Sequence, residues 1–327
     1  MKILFTEPVF QERIWGGRAL ESFGYELPPG NIGECWAVSA HPNGMCMVNT
    51  DEGKISLKDL WENHKDFFGN PKEKDFPLLV KILDAKEDLS VQVHPNKFHE
   101  KEPPKNECWY VLDCRKDAYV IYGHRVKTRE DLKQSAKNNT WQKILIKKPI
   151  KPGDIIYVPS GTIHAICKNT LIWEVQQSSD ITYRLYDYNR TDSCGLPREL
   201  HLEKGLESAF VPHEDAPVEI IETKTEGGLI TRYKFNAPFT LFKYSVTHSL
   251  KVEFPGDYLI VGVIKGEGFI NRQKIVKGQH FILPRGFGDF KIEGSLELLA
   301  AKNEGAEDTC SRQNLKPAGL MSEKQIF

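Results

Sequence analysis

The feature that most narrows the fold is a rhythm of short β-rich runs broken by turns. Runs rich in branched and aromatic residues fall at 76–83, 89–93, 108–112, 118–122, 154–158, 171–176, 258–264 and 280–283, with turn-forming residues between them. This rhythm predicts β-barrels or jelly rolls. Helical signals are few. Residues 56–68 open with Ser56 as a cap and carry Leu57, Leu60, Trp61 and Phe67 or Phe68 on one side, and residues 128–136 open with a capping box of Thr128 and Asp131. Both read as short inserts in a mainly β chain.

An internal echo points to two barrels. The stretch 152–164 (PGDIIYVPSGTIH) resembles 277–289 (KGQHFILPRGFGD), with Asp289 where the first copy has His164. The expected organisation is a metal-binding barrel with helical inserts over 1–235 and a second, degenerate barrel without a metal site over 236–327. At 327 residues, 40% of them apolar, the chain is long enough for one large or two modest cores.

Charge and cysteine usage narrow the partners. With 44 Lys and Arg against 45 Asp and Glu, the formal net charge is −1, so no overall field draws the chain to nucleic acid or to an anionic membrane. The first residues carry too short an apolar run for a signal segment, and no later run approaches membrane-spanning length. Seven cysteines, Cys35, Cys46, Cys108, Cys114, Cys167, Cys194 and Cys310, are scattered without a C-x-x-C pair, which suits reduced, mostly structural thiols. These features predict a cytoplasmic protein with a small-molecule partner.

The candidate chemistry centres on four residues. In Ser90-Val91-Gln92-Val93-His94-Pro95 the polar residues alternate with valines, so on a strand Ser90, Gln92 and His94 share one face. A solvated face is the plain reading of that pattern, and the partners argue against it. Glu107 begins the β-rich run 107–112, and His164 follows the turn Pro159-Ser160-Gly161 that would re-aim the chain at a barrel mouth. Two imidazoles, a carboxylate and the Gln92 carbonyl form a donor set suited to Zn²⁺ with an open position.

At this point the chain resembles a known family. Gln92-Val93-His94-Pro95-Asn96-Lys97, Lys105-Asn106-Glu107 and Pro159-Ser160-Gly161-Thr162-Ile163-His164-Ala165 are similar to the zinc site of type I mannose-6-phosphate isomerases of the cupin superfamily, especially the short bacterial form. The likeness extends to Trp15-Gly16-Gly17, to Gly33-Glu34-Cys35-Trp36 with His41-Pro42, and to residues 174–184 (EVQQSSDITYR), covering roughly the first two thirds of the chain. It implies two cupin-like jelly-roll barrels, interconversion of mannose 6-phosphate and fructose 6-phosphate, and one Zn²⁺ per chain on Gln92, His94, Glu107 and His164. Gln92 stands where the general cupin pattern has His.

The resemblance also implies roles beyond the metal. Arg184 matches an active-site arginine, whose plainer reading is an ion pair with Asp180 or Asp187. Glu174 matches a carboxylate near the substrate, although alternation alone leaves it facing either solvent or the barrel interior. Lys105 matches a further site residue, while Lys81 and Ser90 match positions that would take the phosphate and Trp15 lies in a matching segment as a substrate-binding candidate. One departure is Ile166, two residues after His164, where some relatives carry Tyr; a proton route through that Tyr does not transfer, leaving Glu174, Lys105 or a water as carrier. The competing readings are a cupin of another metal chemistry, such as an Fe²⁺ dioxygenase, and a sugar-phosphate-binding barrel without catalysis. The expected partner is a sugar phosphate, with the chain a monomer or weak homodimer.

Overall fold

The computed structural model describes residues 1–96, 102–192, 194–254 and 256–304; Lys97 of the Gln92–Lys97 motif and Cys310 lie outside the described residues. Strands dominate, in three antiparallel sheets. A six-stranded sheet runs in the order Ile155–Val158, Glu107–Cys114, Thr170–Gln177, Leu78–Ala85, Ile32–Val38 and Val9–Gly17, and a five-stranded sheet runs Leu145–Pro149, Tyr119–His124, His164–Ile166, Val91–Val93 and Tyr183–Tyr186. Their polar faces enclose the site.

The period of two gives the six-stranded sheet two jobs. On Glu107–Cys114 and Thr170–Gln177, Glu107, Trp109, Val111, Ile172 and Glu174 alternate with Cys108, Tyr110, Trp173 and Val175. Trp109, Val111 and Ile172 join the apolar cluster around Trp15, Leu83 and Val158. Cys108, Tyr110, Trp173 and Val175 instead join a core with Phe239, Leu241, Ile260, Ile282 and Leu299 from the C-terminal part of the chain. Both faces of these strands are therefore buried, which is why they read as almost unbroken apolar runs.

The third sheet has eleven strands, and it draws on both ends of the chain. Leu4–Glu7 pairs with His280–Leu283 on one side and with Met47–Thr50 on the other, and Gly53–Ser56 follows. The hairpin Glu219–Thr225 and Gly228–Lys234 forms its opposite edge beside Phe239–Val246. Sheet membership thus crosses the 235 boundary drawn from the sequence. Long-range pairing of this kind leaves no local mark, because a strand's pattern reports its buried face and not its neighbour.

The echo between 152–164 and 277–289 has a backbone counterpart. Gly153 donates to Val111 O and Gly278 to Val263 O, and both glycines take a φ of 93° that other residues rarely adopt. Thr162 N bonds Pro159 O in the first copy, as Phe287 N bonds Pro284 O in the second. The helical inserts form with one change. Ser56 caps Leu57–Asn63, accepting from Asp59 N, but the helix breaks at His64 and resumes as a 3-10 turn over Lys65–Phe68. The break swings Phe68 to within 4.9 Å of Trp61 and 5.9 Å of Phe76, ring centre to ring centre. Thr128 caps Arg129–Lys137, accepting from Asp131 N.

Candidate metal centre and substrate cleft

Two cross-strand rows build the site. In the five-stranded sheet, Tyr122, His164, Gln92 and Arg184 are successive partners across four strands, so all four share one face. In the six-stranded sheet, Trp109, Glu174, Lys81 and Trp36 form a second row. Glu107 lies one pleat along from Trp109. His94 follows its strand directly, and its carbonyl accepts from Gly161 N at 3.2 Å, which ties it to the turn that delivers His164.

The three strongest donors converge. His94 Nε2 lies 3.1 Å from Glu107 Oε2, and His164 Nε2 lies 3.3 Å from Glu107 Oε1. Both rings are fixed from behind: His94 Nδ1 is 2.9 Å from Ile181 O and His164 Nδ1 is 2.8 Å from Thr162 O. A carbonyl can only accept, so each Nδ1 carries the proton and each Nε2 presents a lone pair. Burial pushes the His94 pKa down to about 3, helped by the Lys105 charge, and burial lowers that of His164 as well. Both imidazoles are therefore neutral at physiological pH.

Neutral rings so oriented set lone pairs of nitrogen against a carboxylate. His94 Nε2 and Glu107 Oε2 are buried without a hydrogen-bond partner despite their 3.1 Å approach, because neither has a proton to give. Such an arrangement is unfavourable unless a cation sits between the donors. Among the described residues it is the one group of three or more His, Cys, Asp or Glu side chains whose ligand atoms converge in this way. Gln92 completes the set: its amide nitrogen is 3.3 Å from His164 Nε2, and a half-turn of the carboxamide exchanges nitrogen for the ligating oxygen.

Charged residues flank this centre in pairs. Lys105 Nζ is 3.1 Å from Glu107 Oε2; burial opposes its charge, but Glu107 and Glu174 outweigh burial and raise its pKa. Burial likewise works against an ionised Glu107, yet Lys105 and the two histidines hold its pKa well below the usual carboxylate range. Glu174 is 4% exposed, which settles its register in favour of the barrel interior, and it accepts a 3.0 Å hydrogen bond from Trp109 Nε1. Burial, then the nearby Glu107 charge, pushes its pKa up to about 7. Lys81 Nζ sits 4.6 Å over the Trp36 ring and 3.8 Å from Glu34 Oε2.

These residues line a cleft of about 360 Å³ that also takes in Trp15, Ser90, Ile166 and Arg184. Every residue singled out from the sequence reaches this site except His94 and His164, which close it from behind. Larger clefts exist, including one of about 720 Å³ near Met1 and Pro284, but they bring no comparable donors together. Arg184 does not make the ion pair expected as its plainer reading. Asp187 is taken by Arg190 and Arg198, Asp180 accepts from Asn43, and Arg184 Nη1 instead donates to Glu199 O at 2.8 Å.

The comparisons with known proteins agree with this geometry. A family model described as phosphomannose isomerase type I, catalytic domain, matches residues 3–122, and one described as mannose-6-phosphate isomerase, cupin domain, matches residues 229–303. Mannose-6-phosphate isomerase ManA of Bacillus subtilis is 46% identical over 308 residues, covering 91% of this chain and 98% of the relative. The chain belongs to the type I phosphomannose isomerases. The mannose-6-phosphate isomerase of Streptococcus mutans is 41% identical over 311 residues, covering 91% of this chain and 97% of the relative. A crystal structure of mannose 6-phosphate isomerase from Bacillus subtilis superposes with a TM-score of 0.89 at 41% identity, covering 92% of this chain and 100% of that one.

Read as a phosphomannose isomerase, the chain has site residues that sequence reasoning passed over. Glu34 is 8% exposed and accepts from Trp36 Nε1 at 2.6 Å and from Arg13 at 2.9 Å. Burial opposes its charge, but Lys81 and then Arg13 hold its pKa below the ordinary value. Arg13, Asp180, Thr182 and Arg198 also line the cleft. The one available signal was a glutamate among Ile32, Cys35, Trp36 and Val38, since a carboxylate in an apolar strand needs a cationic partner.

Proposed function

We propose that this chain interconverts D-mannose 6-phosphate and D-fructose 6-phosphate with one zinc ion per chain held by Gln92, His94, Glu107 and His164. The observation that carries the metal is the pair of neutral imidazoles whose lone pairs meet a buried carboxylate. A mixed set of nitrogen and oxygen donors, with no thiolate among them, suits zinc at a site left open to substrate. Bound there, the ion supplies a Lewis acid beside the sugar's C1 and C2 oxygens, where enediolate charge develops.

The remaining chemistry belongs to side chains. Isomerisation needs a group that takes a proton from one carbon and returns it to the next. Glu174 fits that role: its raised pKa leaves both forms populated near neutrality, so it can accept and release within one cycle. Lys105 is held cationic by Glu107 and serves better as a fixed charge that keeps Glu107 ionised. Arg184 brings a permanent charge to the same face as Gln92 and suits enediolate stabilisation or ring opening. Ser90 and Lys81 offer polar contacts to the sugar, while Trp15, Leu89 and Ile166 wall the cleft against water. The fit of a single chain to the complete site supports work as a monomer or weak homodimer, and the free thiols at Cys35, Cys46, Cys108, Cys114, Cys167 and Cys194 suit the cytoplasm.

The test is a coupled assay of fructose 6-phosphate formation from mannose 6-phosphate on metal-stripped protein, with and without added Zn²⁺, beside His164→Ala. Turnover restored by zinc in the parent but not in the variant supports the reading. Bound zinc without turnover would overturn it.

A further inference from the structure

We propose that Arg198, clamped by Asp187 and set beside Arg184, is the group that takes the substrate's phosphate. The inference rests on the sugar-phosphate reading above and concerns which end of the cleft receives the anion. Asp187 is 5% exposed and lies behind the cleft wall. Arg198 donates to it through Nε at 2.8 Å and Nη2 at 2.6 Å. Arg190 donates to the same carboxylate through Nε at 2.9 Å and Nη2 at 2.7 Å, and its Nη1 is anchored on the Asp88 carbonyl. One edge of the Arg198 guanidinium is thus spent on holding position. The group lines the cleft with Arg184, and Nη1 is the nitrogen that Asp187 leaves over.

The charge count favours an anion here. Arg184, Arg190 and Arg198 bring three positive charges and Asp187 one negative, a surplus of two. The other nearby carboxylate, Glu199, has a side chain 83% exposed, where water screens it. Arg184 feels the surplus: burial and then the Arg198 charge lower its pKa. Its Nε is buried without a hydrogen-bond partner. Two guanidiniums facing one cavity with donors to spare match a phosphate dianion, whose oxygens accept paired N–H groups. The opposite end of the cleft is less suited. Glu34 stands 3.8 Å from Lys81 Nζ and also binds Arg13, so a phosphate at Lys81 would meet a carboxylate already neutralising that lysine.

The test compares Arg198→Ala, Arg198→Lys and Lys81→Met with the parent zinc-loaded enzyme. The readouts are KM and kcat for mannose 6-phosphate, competitive inhibition by inorganic phosphate, and direct phosphate binding by calorimetry. For Arg198→Ala we expect KM and the inhibition constant of phosphate to rise together, on the order of tenfold to a hundredfold for loss of a charge-assisted contact, with kcat changed only severalfold. Arg198→Lys keeps the charge but loses the clamp and should fall between, which preserves a reading if the alanine variant folds poorly. A purely structural role for Arg198 would lower kcat or stability without singling out phosphate, and that result would overturn the inference, as would unchanged phosphate inhibition in Arg198→Ala alongside weakened inhibition in Lys81→Met. If the parent binds phosphate through Arg198 yet turns over no mannose 6-phosphate, the anion site stands and the isomerase reading falls.

Discussion

The two barrels share backbone turns and differ in what points inward. After the turn that begins at Pro159, His164 is fully buried beside Gln92 and Glu107. After the matching turn at Pro284, Asp289 is exposed and accepts from Phe254 N at 3.0 Å. The first barrel lines its interior with Lys81, Lys105, Glu107, Glu174, Gln92 and His164, and each charge there has an opposite partner. The second fills its interior with Phe242, Leu259, Val261, Phe281, Ile292 and Leu298. One folding pattern thus carries a reactive interior in one place and a close-packed one in another. What decides is the residue type at a few inward positions.

That contrast can be broken most sharply at His164. His164→Ala should cost several kcal/mol of transition-state stabilisation, roughly a thousandfold in turnover, together with the bound metal; metal analysis and the coupled assay check both. A variant that keeps zinc and activity would mean the inward row does not define the site. Leu298→Ala tests the other interior. There the loss should be about 2–5 kcal/mol of stability in denaturant melts, while metal content stays at the parent level. Equal loss of metal in Leu298→Ala would show that the barrels are not separable in role.

Glu174 gives a subtler probe, read in metal-stripped protein. Its folded pKa is raised from 4.5 to about 7, so its neutral form favours the fold. That contribution is fully present below pH 4.5 and is lost as pH rises through about 7. Glu174→Gln removes the slope. Relative to the parent, the variant should therefore gain stability between pH 4.5 and 7 in urea midpoints, and parallel curves would sink the assignment. The smallest effect concerns the join between barrels, where Trp173 Nε1 lies 3.1 Å from His280 Nε2. A Cβ on Gly262 would come within 2.5 Å of that same imidazole nitrogen, so the glycine makes room for the contact. A double-mutant cycle with Trp173→Phe and His280→Phe should return a coupling of about 1 kcal/mol.

Much of the metal centre was legible because its signals are local. Alternation in 90–94 places Ser90, Gln92 and His94 on one face, and the Gly161 turn is written next to His164. The strand Glu107–Cys114 was expected from its apolar content, and the caps at Ser56 and Thr128 lie where the sequence puts them. The illegible parts depend on distance along the chain. Nothing near Lys81 announces Glu34, and nothing near Arg198 announces Asp187 and Arg190 as partners. Alternation left Glu174 with two registers because both faces of its strand are buried, so burial of Trp173 on one side and Glu174 on the other had to come from the packing. The helix Leu202–Ser208 carries Gly205 mid-length and no side-chain cap, so propensity argued against it and its packing on Tyr183–Tyr186 decided otherwise.

The pairing of Leu4–Glu7 with His280–Leu283 has a consequence for synthesis. The strands of the catalytic barrel all leave the ribosome before residue 187, so that barrel can close while the chain is still growing. Leu4–Glu7 must wait, because its partner strand is made nearly last and such late, long-range pairing is slow. Until then the outward face bearing Cys108, Tyr110, Trp173 and Val175 is bare. A nascent chain stalled short of residue 280 would display that greasy face and an open strand edge to the cell, a natural target for chaperones and a place where aggregation would start.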